Sequence, residues 1–366
     1  MNILIIGEFS GFAKHLKNGF RKLGHKVTVV MTPDSFKKIK GGDGDIVYGG
    51  NINLFGHPIK GTALLLKPLR ALLIRYKLYR KYHNHKPDLI IVISSGFLAI
   101  SFFQVGTPLK FLKKQVSRGS KIIMTECGGS PASHYNNQEF YRARRREVRI
   151  FDIRYNFLLK YSDVIIPTSY CYYDDLLKYN NYYSYNLNKV HRCIPLPITI
   201  DDECDSISCV GRKIVVFHGI IRPLDKGTSF IVEAMNRLQR DLPNVVECIS
   251  EGGLPYDEYV KIFNRIDILV DQTYGNGWGM NAIIGAMKGK CVLAPCGPEN
   301  SENMGIDEIP FVRIGPDSEQ IYKTLKDLVL NPEKINEIKL ASRIFAEKNC
   351  ECSYIARRYL TVVGLG

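Results

Sequence analysis

Residues 213–228 have the sequence KIVVFHGIIRPLDKGT, and this stretch decides the fold. The apolar run 214–217 predicts a buried strand, and the apolar residues spaced along 230–238 predict an amphipathic helix. Strand, loop and helix in succession form the repeating unit of a doubly wound parallel sheet. The stretch therefore predicts an α/β domain whose loop carries Arg222 and Lys226 at the entrance of a helix.

Arg222 and Lys226 predict a binding site for a phosphate-bearing ligand. Cations beside a helix N-terminus oppose the helix dipole unless an anion lies between them. A planar guanidinium, an ammonium and the free N–H groups of a helix start suit a diphosphate, and they stabilise its charge without a metal ion. A purely structural role for the two cations is the alternative.

The same alternation of strand and helix extends along the rest of the chain. Further apolar runs predict buried strands at 2–6, 27–30, 88–93, 121–124, 163–167, 245–249 and 266–272. A chain of 366 residues is too long for one ordinary core and suits two domains. The polar stretch 201–211 predicts a linker, so we expect domains at 1–200 and 201–345, followed by a terminal helical segment at 346–366.

The first domain offers candidates for the acceptor side of a site. The turn Phe9-Ser10-Gly11 lacks the G-x-G-x-x-G pattern, so dinucleotide binding has no direct support. The turn follows the first strand, at the sheet edge where α/β proteins bind ligands, which makes Phe9, Ser10 and Gly11 candidates, with a tight structural turn as the alternative. His134 lies in a loop after another strand and is a further candidate, with a surface loop as the alternative.

An excess of positive charge indicates an anionic partner. The chain has 50 lysines and arginines against 36 acidic residues, a formal net charge of +14. Basic segments at 67–81 and 142–154 predict contact with an anionic membrane surface or a lipid-diphosphate acceptor, with a solvated helix face as the alternative. Nucleic acid is not expected, because no recognisable binding module accompanies the arginines.

Other features predict a cytoplasmic protein without a metal ion or cofactor. The first residues lack the basic region of a signal peptide, and no apolar stretch is long enough to span a bilayer, so we expect a cytoplasmic chain in peripheral contact with the inner face of the membrane. The ten cysteines form no C-x-x-C pair, which argues against a structural zinc site. The D-x-D triplet Asp43-Gly44-Asp45 precedes a short apolar run, and we interpret it as a polar loop.

Several segments in the second half, taken in order, resemble those of a known enzyme family. HGIIRPLDKGT, PYDEY and DILVDQTYGNGWGMNAIIGAMKGKCVLAP are similar to segments of the retaining GT-B glycosyltransferases, in particular glycosyltransferase family 4, over about 213–360. The resemblance implies two Rossmann-like domains facing across a cleft, with a C-terminal helix that crosses back to the first domain. It also implies a hexosyltransferase that moves a sugar from a nucleoside-diphosphate donor to a glycan or lipid-linked acceptor with retention, without a metal ion. Bacterial members build capsule, lipopolysaccharide and other surface polysaccharides.

The resemblance also implies roles for individual residues. The family's R-x-x-x-K-G segment binds the donor diphosphate and maps onto Arg222 and Lys226, which we assign as catalytic. The other residues expected around the donor are Gly219, Gly227, Tyr256, Glu258, Asn276, Gly277, Trp278, Gly279, Met280, Asn281 and Glu299.

The sequence departs from the family at two carboxylates. The family's E-x7-E pattern falls on Gly277 and Gly285, so both glutamates are absent. Asn276, Asn281 or Glu299 are the candidates to supply substitute hydrogen bonds. The losses leave two alternatives open: a non-catalytic relative that binds a nucleotide sugar or glycan, and a sugar-nucleotide epimerase on the same architecture.

Overall fold

The computed structural model describes most of the chain, which divides into two compact units. The described residues are 1–31, 45–47, 52–54, 57–59, 67–93, 106–132, 145–181, 184–200, 212–254 and 256–366. The first unit consists of Met1–Thr168, Tyr172–Ile194 and Ala356–Gly366, and the second of Ser169–Cys171 and Pro195–Ile355. The predicted linker 201–211 lies outside the described residues.

The first unit is built on a parallel sheet of six strands. Its strands and those of a separate hairpin are β1 (Asn2–Ile6), β2 (Lys26–Met31), β3 (Ile46–Val47), β4 (Ile52–Leu54), β5 (His57–Ile59), β6 (Leu89–Val92), β7 (Lys121–Glu126) and β8 (Val164–Pro167). The helices are α1 (Phe12–Lys22), α2 (Lys67–Tyr82), α3 (Gly106–Ser117), α4 (Arg145–Tyr161) and α5 (Tyr170–Tyr179). A short 3-10 turn follows at Leu187–Lys189.

The strand order of this sheet is β3-β2-β1-β6-β7-β8, and β4 pairs with β5 in an antiparallel hairpin. The order runs outward in both directions from the β1–β6 pair, so the topological switch point lies at the carboxyl ends of these two strands. Nearly every residue of β1, β6 and β7 is buried, because helices cover both faces of the sheet.

The second unit repeats the architecture with a parallel sheet of five strands in the order β10-β9-β11-β12-β13. Its strands are β9 (Ile214–Ile220), β10 (Val246–Gly252), β11 (Ile268–Val270), β12 (Cys291–Ala294) and β13 (Val312–Arg313). Its helices are α6 (Pro223–Lys226), α7 (Thr228–Asp241), α8 (Tyr256–Arg265), α9 (Met280–Met287), α10 (Pro298–Met304), α11 (Ser318–Leu330) and α12 (Pro332–Cys350). A last helix, α13 (Cys352–Thr361), begins in the second unit and ends in the first.

The core of the second unit lies between its sheet and helices α7 and α11. Strand residues such as Val216 and Val270 belong to one hydrophobic cluster with Ile231 and Met235 of α7 and Leu325 of α11. These helices supply apolar residues at helical spacing, so one stripe of each faces the sheet. The predicted α/β fold with two doubly wound parallel sheets is confirmed.

The last helix closes the first unit. The hydroxyl of Tyr359 lies 3.5 Å from Oγ1 of Thr125 on β7, and both side chains are buried. Arg358 also donates to the carbonyl oxygen of Cys193 over 3.5 Å. Residues at the end of the chain therefore complete a unit that begins with its first strand.

Of the D-x-D triplet, the structure describes one carboxylate, that of Asp45. Asp43 and Gly44 lie outside the described residues. The Asp45 side chain is buried and pairs with the ammonium of Lys17 at 2.5 Å, and it also accepts the backbone N–H of Val29 over 2.8 Å. The Asp45 carboxylate therefore ties β2 to α1.

Candidate functional site

The loop between β9 and α7 holds the two predicted cations in an unusual backbone. Arg222 and Gly227, which flank the short helix α6, both have left-handed conformations, with φ of 54° and 64°. The left-handed conformation costs a non-glycine residue about 1–2 kcal/mol. Within the described part of the chain the Arg222 side chain is exposed and forms no ion pair or hydrogen bond, so its guanidinium is available to an anion.

Lys226 is buried and points at a carboxylate that sequence reasoning missed. Its Nζ donates to Oδ1 of Asp271 over 2.7 Å and to the backbone carbonyl of Asp271 over 3.2 Å. Asp271 follows β11, and its second oxygen, Oδ2, accepts the N–H of Gly279 over 3.0 Å. Burial by itself would raise the pKa of Asp271, but the Lys226 ammonium and the Gly279 N–H outweigh it and hold the pKa below its usual value.

Gly227 is required where the loop meets the next loop of the sheet. A Cβ atom at this position would lie 2.1 Å from Oγ1 of Thr273, which no side chain could tolerate. Thr273 also donates its N–H to the carbonyl of Lys226 over 3.0 Å. The backbone of Lys226 is therefore fixed against the β11–α9 loop.

His218, near the end of β9, fixes the start of α7. Its Nδ1 lies 2.9 Å from the carbonyl of Val270 and its Nε2 lies 3.0 Å from Oγ1 of Thr228. Because a carbonyl only accepts, Nδ1 carries the proton and Nε2 accepts from the Thr228 hydroxyl. Burial lowers the pKa of this imidazole, so the neutral form is favoured.

Asn276 anchors the glycine-rich loop to the start of α10. Its Oδ1 accepts from the N–H of Gly297 over 2.6 Å and from Nδ2 of Asn300 over 2.7 Å, while its Nδ2 donates to Oε2 of Glu299 over 2.9 Å. Asn300 in turn accepts the N–H of Tyr170 over 2.9 Å. Two of the residues predicted on the donor side, Asn276 and Glu299, are therefore bonded to each other at this loop, and Asn300, which the sequence did not indicate, joins them.

At the two glycines that stand where glutamates were expected, neighbouring side chains leave no space for a Cβ atom. A Cβ at Gly277 would lie 2.5 Å from Oγ and 2.7 Å from Cβ of Ser169, and a Cβ at Gly285 would lie 2.6 Å from Cδ2 of Leu269. Cβ atoms do not approach other heavy atoms that closely. Neither position accepts a glutamate in this packing.

Trp278 is buried in the core of the second unit. The indole is 3% exposed and makes edge contacts with Phe311 and Phe345, at centroid distances of 5.2 and 6.5 Å. It is a core residue, which corrects the expectation that it contacts the donor. The bulky aromatic is buried because α12 covers this side of the loop.

The remaining donor-side candidates fall at the same sheet edge or on α8. Met280 and Asn281 are buried in the first turn of α9, and the Gly279 N–H before them is committed to Asp271. Gly219 lies in β9, where a Cβ would make only ordinary contacts of 3.5 Å. Tyr256 begins α8, and Glu258 is exposed in its first turn.

In the first unit the predicted turn is capped by Glu8. Phe9 is exposed, and Ser10 and Gly11 have left-handed φ values of 52° and 100°. The Glu8 carboxylate accepts the N–H groups of Gly11 and Lys14 over 2.8 and 3.0 Å, so it already occupies the start of α1. His134 lies outside the described residues.

Strand β7 ends in Glu126, a further buried carboxylate that sequence reasoning missed. Glu126 is buried and accepts the hydroxyl of Tyr155 over 2.8 Å. Burial raises the pKa of Glu126 to about 7, against the opposing effects of the Tyr155 and Ser130 hydrogen bonds.

The two basic segments differ in how far their described side chains are exposed. On α2 the side chains of Lys77 and Lys81 are exposed beside exposed Leu73 and Tyr76. Arg154 of the second segment is 2% exposed and lies on the side of α4 that faces the core, so this arginine does not contribute to the predicted anion-binding surface. Of the described helices, none combines the length and apolar character needed to cross a bilayer.

Comparisons of the chain with known proteins identify its fold. No protein-family model matches the sequence, and no curated protein matches it either. Among solved structures, HepE from Anabaena with UDP-glucose is 12% identical over 100% of this chain and 99% of its own, with a TM-score of 0.61. Sucrose-phosphate synthase from Thermosynechococcus elongatus is 14% identical over 99% of this chain and 98% of its own, with a TM-score of 0.64. A candidate UDP-N-acetylglucosamine 2-epimerase from Listeria monocytogenes is 13% identical over 99% and 95%, with a TM-score of 0.52.

At these identities the likeness shows the fold alone. The fold is GT-B, as the sequence predicted, with one doubly wound parallel sheet in each unit.

Proposed function

We propose that the chain is a glycosyltransferase that takes its sugar from a nucleoside-diphosphate donor. The observation that carries the proposal is the β9–α7 loop, where Arg222 is exposed and held in a left-handed conformation while Lys226 lies four residues away in the same loop. HepE, which shares the fold, was solved with UDP-glucose. A diphosphate leaving group matches the charge that these two side chains offer.

The two cations would act when the bond between sugar and phosphate breaks. Negative charge then builds up on the departing diphosphate, and the guanidinium and the ammonium stabilise that charge more than they stabilise the bound donor. The departing phosphate can itself accept the proton of the acceptor hydroxyl. The proposed reaction retains the anomeric configuration and requires neither a metal ion nor a cofactor.

The proposed site needs a carboxylate or amide for the sugar hydroxyls, since Gly277 and Gly285 are closed to glutamate. Glu299, which receives a hydrogen bond from Asn276 and makes no ion pair within the described residues, is our candidate. The finer assignments also belong to this proposal: membership of glycosyltransferase family 4, a role in surface polysaccharide synthesis in the cytoplasm, and a glycan or lipid-linked acceptor.

The proposal includes contact with an anionic membrane through α2. Its exposed face carries Leu73 and Tyr76 together with Lys77 and Lys81, a combination that suits the boundary between lipid headgroups and acyl chains. The lipid-linked acceptor would be met at that surface.

Two other functions remain as specific alternatives. The closed positions at Gly277 and Gly285 favour a relative that binds a nucleotide sugar without transferring it. The structural likeness to the candidate epimerase favours interconversion of a sugar nucleotide.

One experiment separates the three functions. The protein is incubated with a panel of UDP-, GDP- and other activated sugars, with and without glycan and lipid-linked acceptors, while nucleotide release, donor binding and donor isomerisation are followed separately. Transfer to an acceptor supports the proposal. Binding without turnover under every condition, or isomerisation without transfer, overturns it.

A further inference from the structure

Asp271 joins two elements of the candidate site through a single carboxylate. One oxygen receives the ammonium of Lys226 at 2.7 Å and the other receives the N–H of Gly279 at 3.0 Å. Gly279 is the N-cap residue of α9, and Lys226 precedes the start of α7. The two elements that carry the proposed phosphate contacts are therefore held at a fixed separation by one side chain.

The arrangement leaves Lys226 able to bind an anion. An ammonium has three N–H donors, and Asp271 takes two of them, with its carboxylate and with its backbone carbonyl. Among the described residues the third N–H has no acceptor. Its direction is set by the two bonds already made, so the lysine presents one oriented donor rather than a freely rotating charge.

The position of the carboxylate argues against competition with the ligand. The Asp271 side chain is 0% exposed and the Lys226 side chain 8%, so the carboxylate itself is not accessible to a ligand. Both Asp271 oxygens are already occupied by donors from the protein. A carboxylate in this position neutralises part of the buried charge of Lys226 and keeps that side chain extended.

We propose that Asp271 is a positioning residue that fixes Lys226 and the N-terminus of α9 as one phosphate-binding unit. The inference rests on the proposed function, since it assumes that Lys226 meets a donor phosphate. An aspartate accepts hydrogen bonds with both oxygens, whereas an asparagine accepts with only one, so Asp271→Asn must lose either the Lys226 bond or the Gly279 bond.

The chain offers a matched control at the other end of the same short strand. Asp267 precedes β11 and is also buried, with Oδ1 3.0 Å from Nζ of Lys339 and Oδ2 3.0 Å from the N–H of Val215. It pairs with Arg212 as well. Asp267→Asn therefore removes a comparable buried charge at the amino end of the strand, away from Arg222 and Lys226.

The test is calorimetric titration of the full chain with UDP and GDP, using whichever nucleotide the wild-type protein binds. Asp271→Asn is expected to weaken the Kd by about tenfold or more, the loss of one charge-assisted hydrogen bond. Asp267→Asn is expected to leave the Kd within about twofold of wild type. In a Lys226→Met background, Asp271→Asn is expected to have a smaller effect on the Kd, because only its bond to the start of α9 remains to be lost.

The possible outcomes distinguish a failure of the inference about Asp271 from a failure of the proposed function. If the wild-type protein binds no nucleoside diphosphate, the proposed function fails and the inference fails with it. If wild type binds but Asp271→Asn binds equally well or more tightly, Asp271 does not position Lys226, and a tighter complex means that the carboxylate competes with phosphate. An undiminished effect of Asp271→Asn in the Lys226→Met background also overturns the inference.

Asp271→Glu is the test variant to use if Asp271→Asn does not fold. It keeps the negative charge but moves the carboxylate by one methylene, so the two bonds cannot both keep their geometry. A weaker Kd by about threefold or more is expected. An unchanged Kd in a folded Asp271→Glu protein overturns the inference.

Discussion

Ser169 fills the space into which a side chain at Gly277 would extend, with its Oγ 2.5 Å from the place of the missing Cβ. Ser169 belongs to the second unit, although the strand that precedes it belongs to the first. The absence of a glutamate at Gly277 is therefore a property of the packing around the loop.

Gly277→Ala is expected to lower the free energy of unfolding by about 1–3 kcal/mol, because the added methyl overlaps Ser169. Urea denaturation measures the change. In a Ser169→Gly background the two closest atoms are gone, and the same substitution is expected to cost less. Equal costs in both backgrounds would show that Ser169 does not close this position.

Substitution of the exposed Arg222 is expected to weaken donor binding with little change in the free energy of unfolding. Arg222→Ala and Lys226→Ala are each expected to lower kcat/KM by the equivalent of about 2–4 kcal/mol. Arg222→Gly is expected to lose donor affinity in the same way, while its free energy of unfolding changes by less than about 1 kcal/mol because glycine tolerates the left-handed backbone. Arg240→Ala, an exposed arginine at the end of α7, is the control.

Donor titration and urea denaturation of the same Arg222→Gly preparation check this prediction. Unchanged kinetics in either alanine variant would remove the main site assignment. A loss of several kcal/mol of stability in Arg222→Gly would mean that the arginine side chain holds the loop together.

The α2 surface is expected to bind vesicles that contain anionic lipid. Leu73 and Tyr76 are 51% and 56% exposed, so Leu73→Ser with Tyr76→Ser should reduce cosedimentation without a large change in stability. Charge reversal at Lys67, Arg70 and Lys77 should reduce it as well and weaken its dependence on salt.

Leu340→Ser with Ile344→Ser provides the matched control, since these α12 residues are exposed to a similar extent in the second unit. Equal cosedimentation of the two double variants would show that α2 has no special affinity for the membrane.

Glu126 is expected to make the protein less stable as the pH rises. Its pKa is raised from 4.5 to about 7 in the folded chain, mainly by burial, so the folded state holds a proton that the unfolded state has released. The stabilisation is present below pH 4.5 and is lost as the pH rises to about 7, with a total of about 3 kcal/mol. His218 acts in the opposite direction, because its lowered pKa favours the unfolded state as the pH falls below 6.5.

Comparison of wild type with Glu126→Gln isolates the first contribution, because glutamine still accepts from Tyr155 but does not titrate. Urea denaturation at pH 5 and pH 8 is the measurement. The wild-type protein should lose more stability than the variant between the two values. An identical loss in both proteins would show that Glu126 does not carry a raised pKa.

The fold was predictable because it depends on local patterns. Continuous apolar runs predicted strands buried on both faces, and the spacing of apolar residues after Thr228 predicted α7. Arg222 was identifiable for a similar reason, since it and Lys226 stand in one short loop before a helix.

The partners within the site were not predictable, because they depend on contacts between distant parts of the chain. Asp271 is 45 residues from Lys226, and its sequence context predicted only the end of a strand. Trp278 lies among glycines in the sequence, and its burial depends on contacts with the distant residues Phe311 and Phe345. Glu8 was not among the predicted site residues, because its bonds to the N–H groups of Gly11 and Lys14 depend on the turn geometry.

The placement of residues Ala356–Gly366 in the first unit has a consequence for synthesis on the ribosome. Tyr359, which lies against Thr125, is made after every residue of the second unit. The first unit therefore emerges from the ribosome before residues Ala356–Gly366 and cannot reach its complete packing until they have been made. The second unit has all its strands earlier, so it can finish folding first, against the usual N-terminal-first order of multidomain chains.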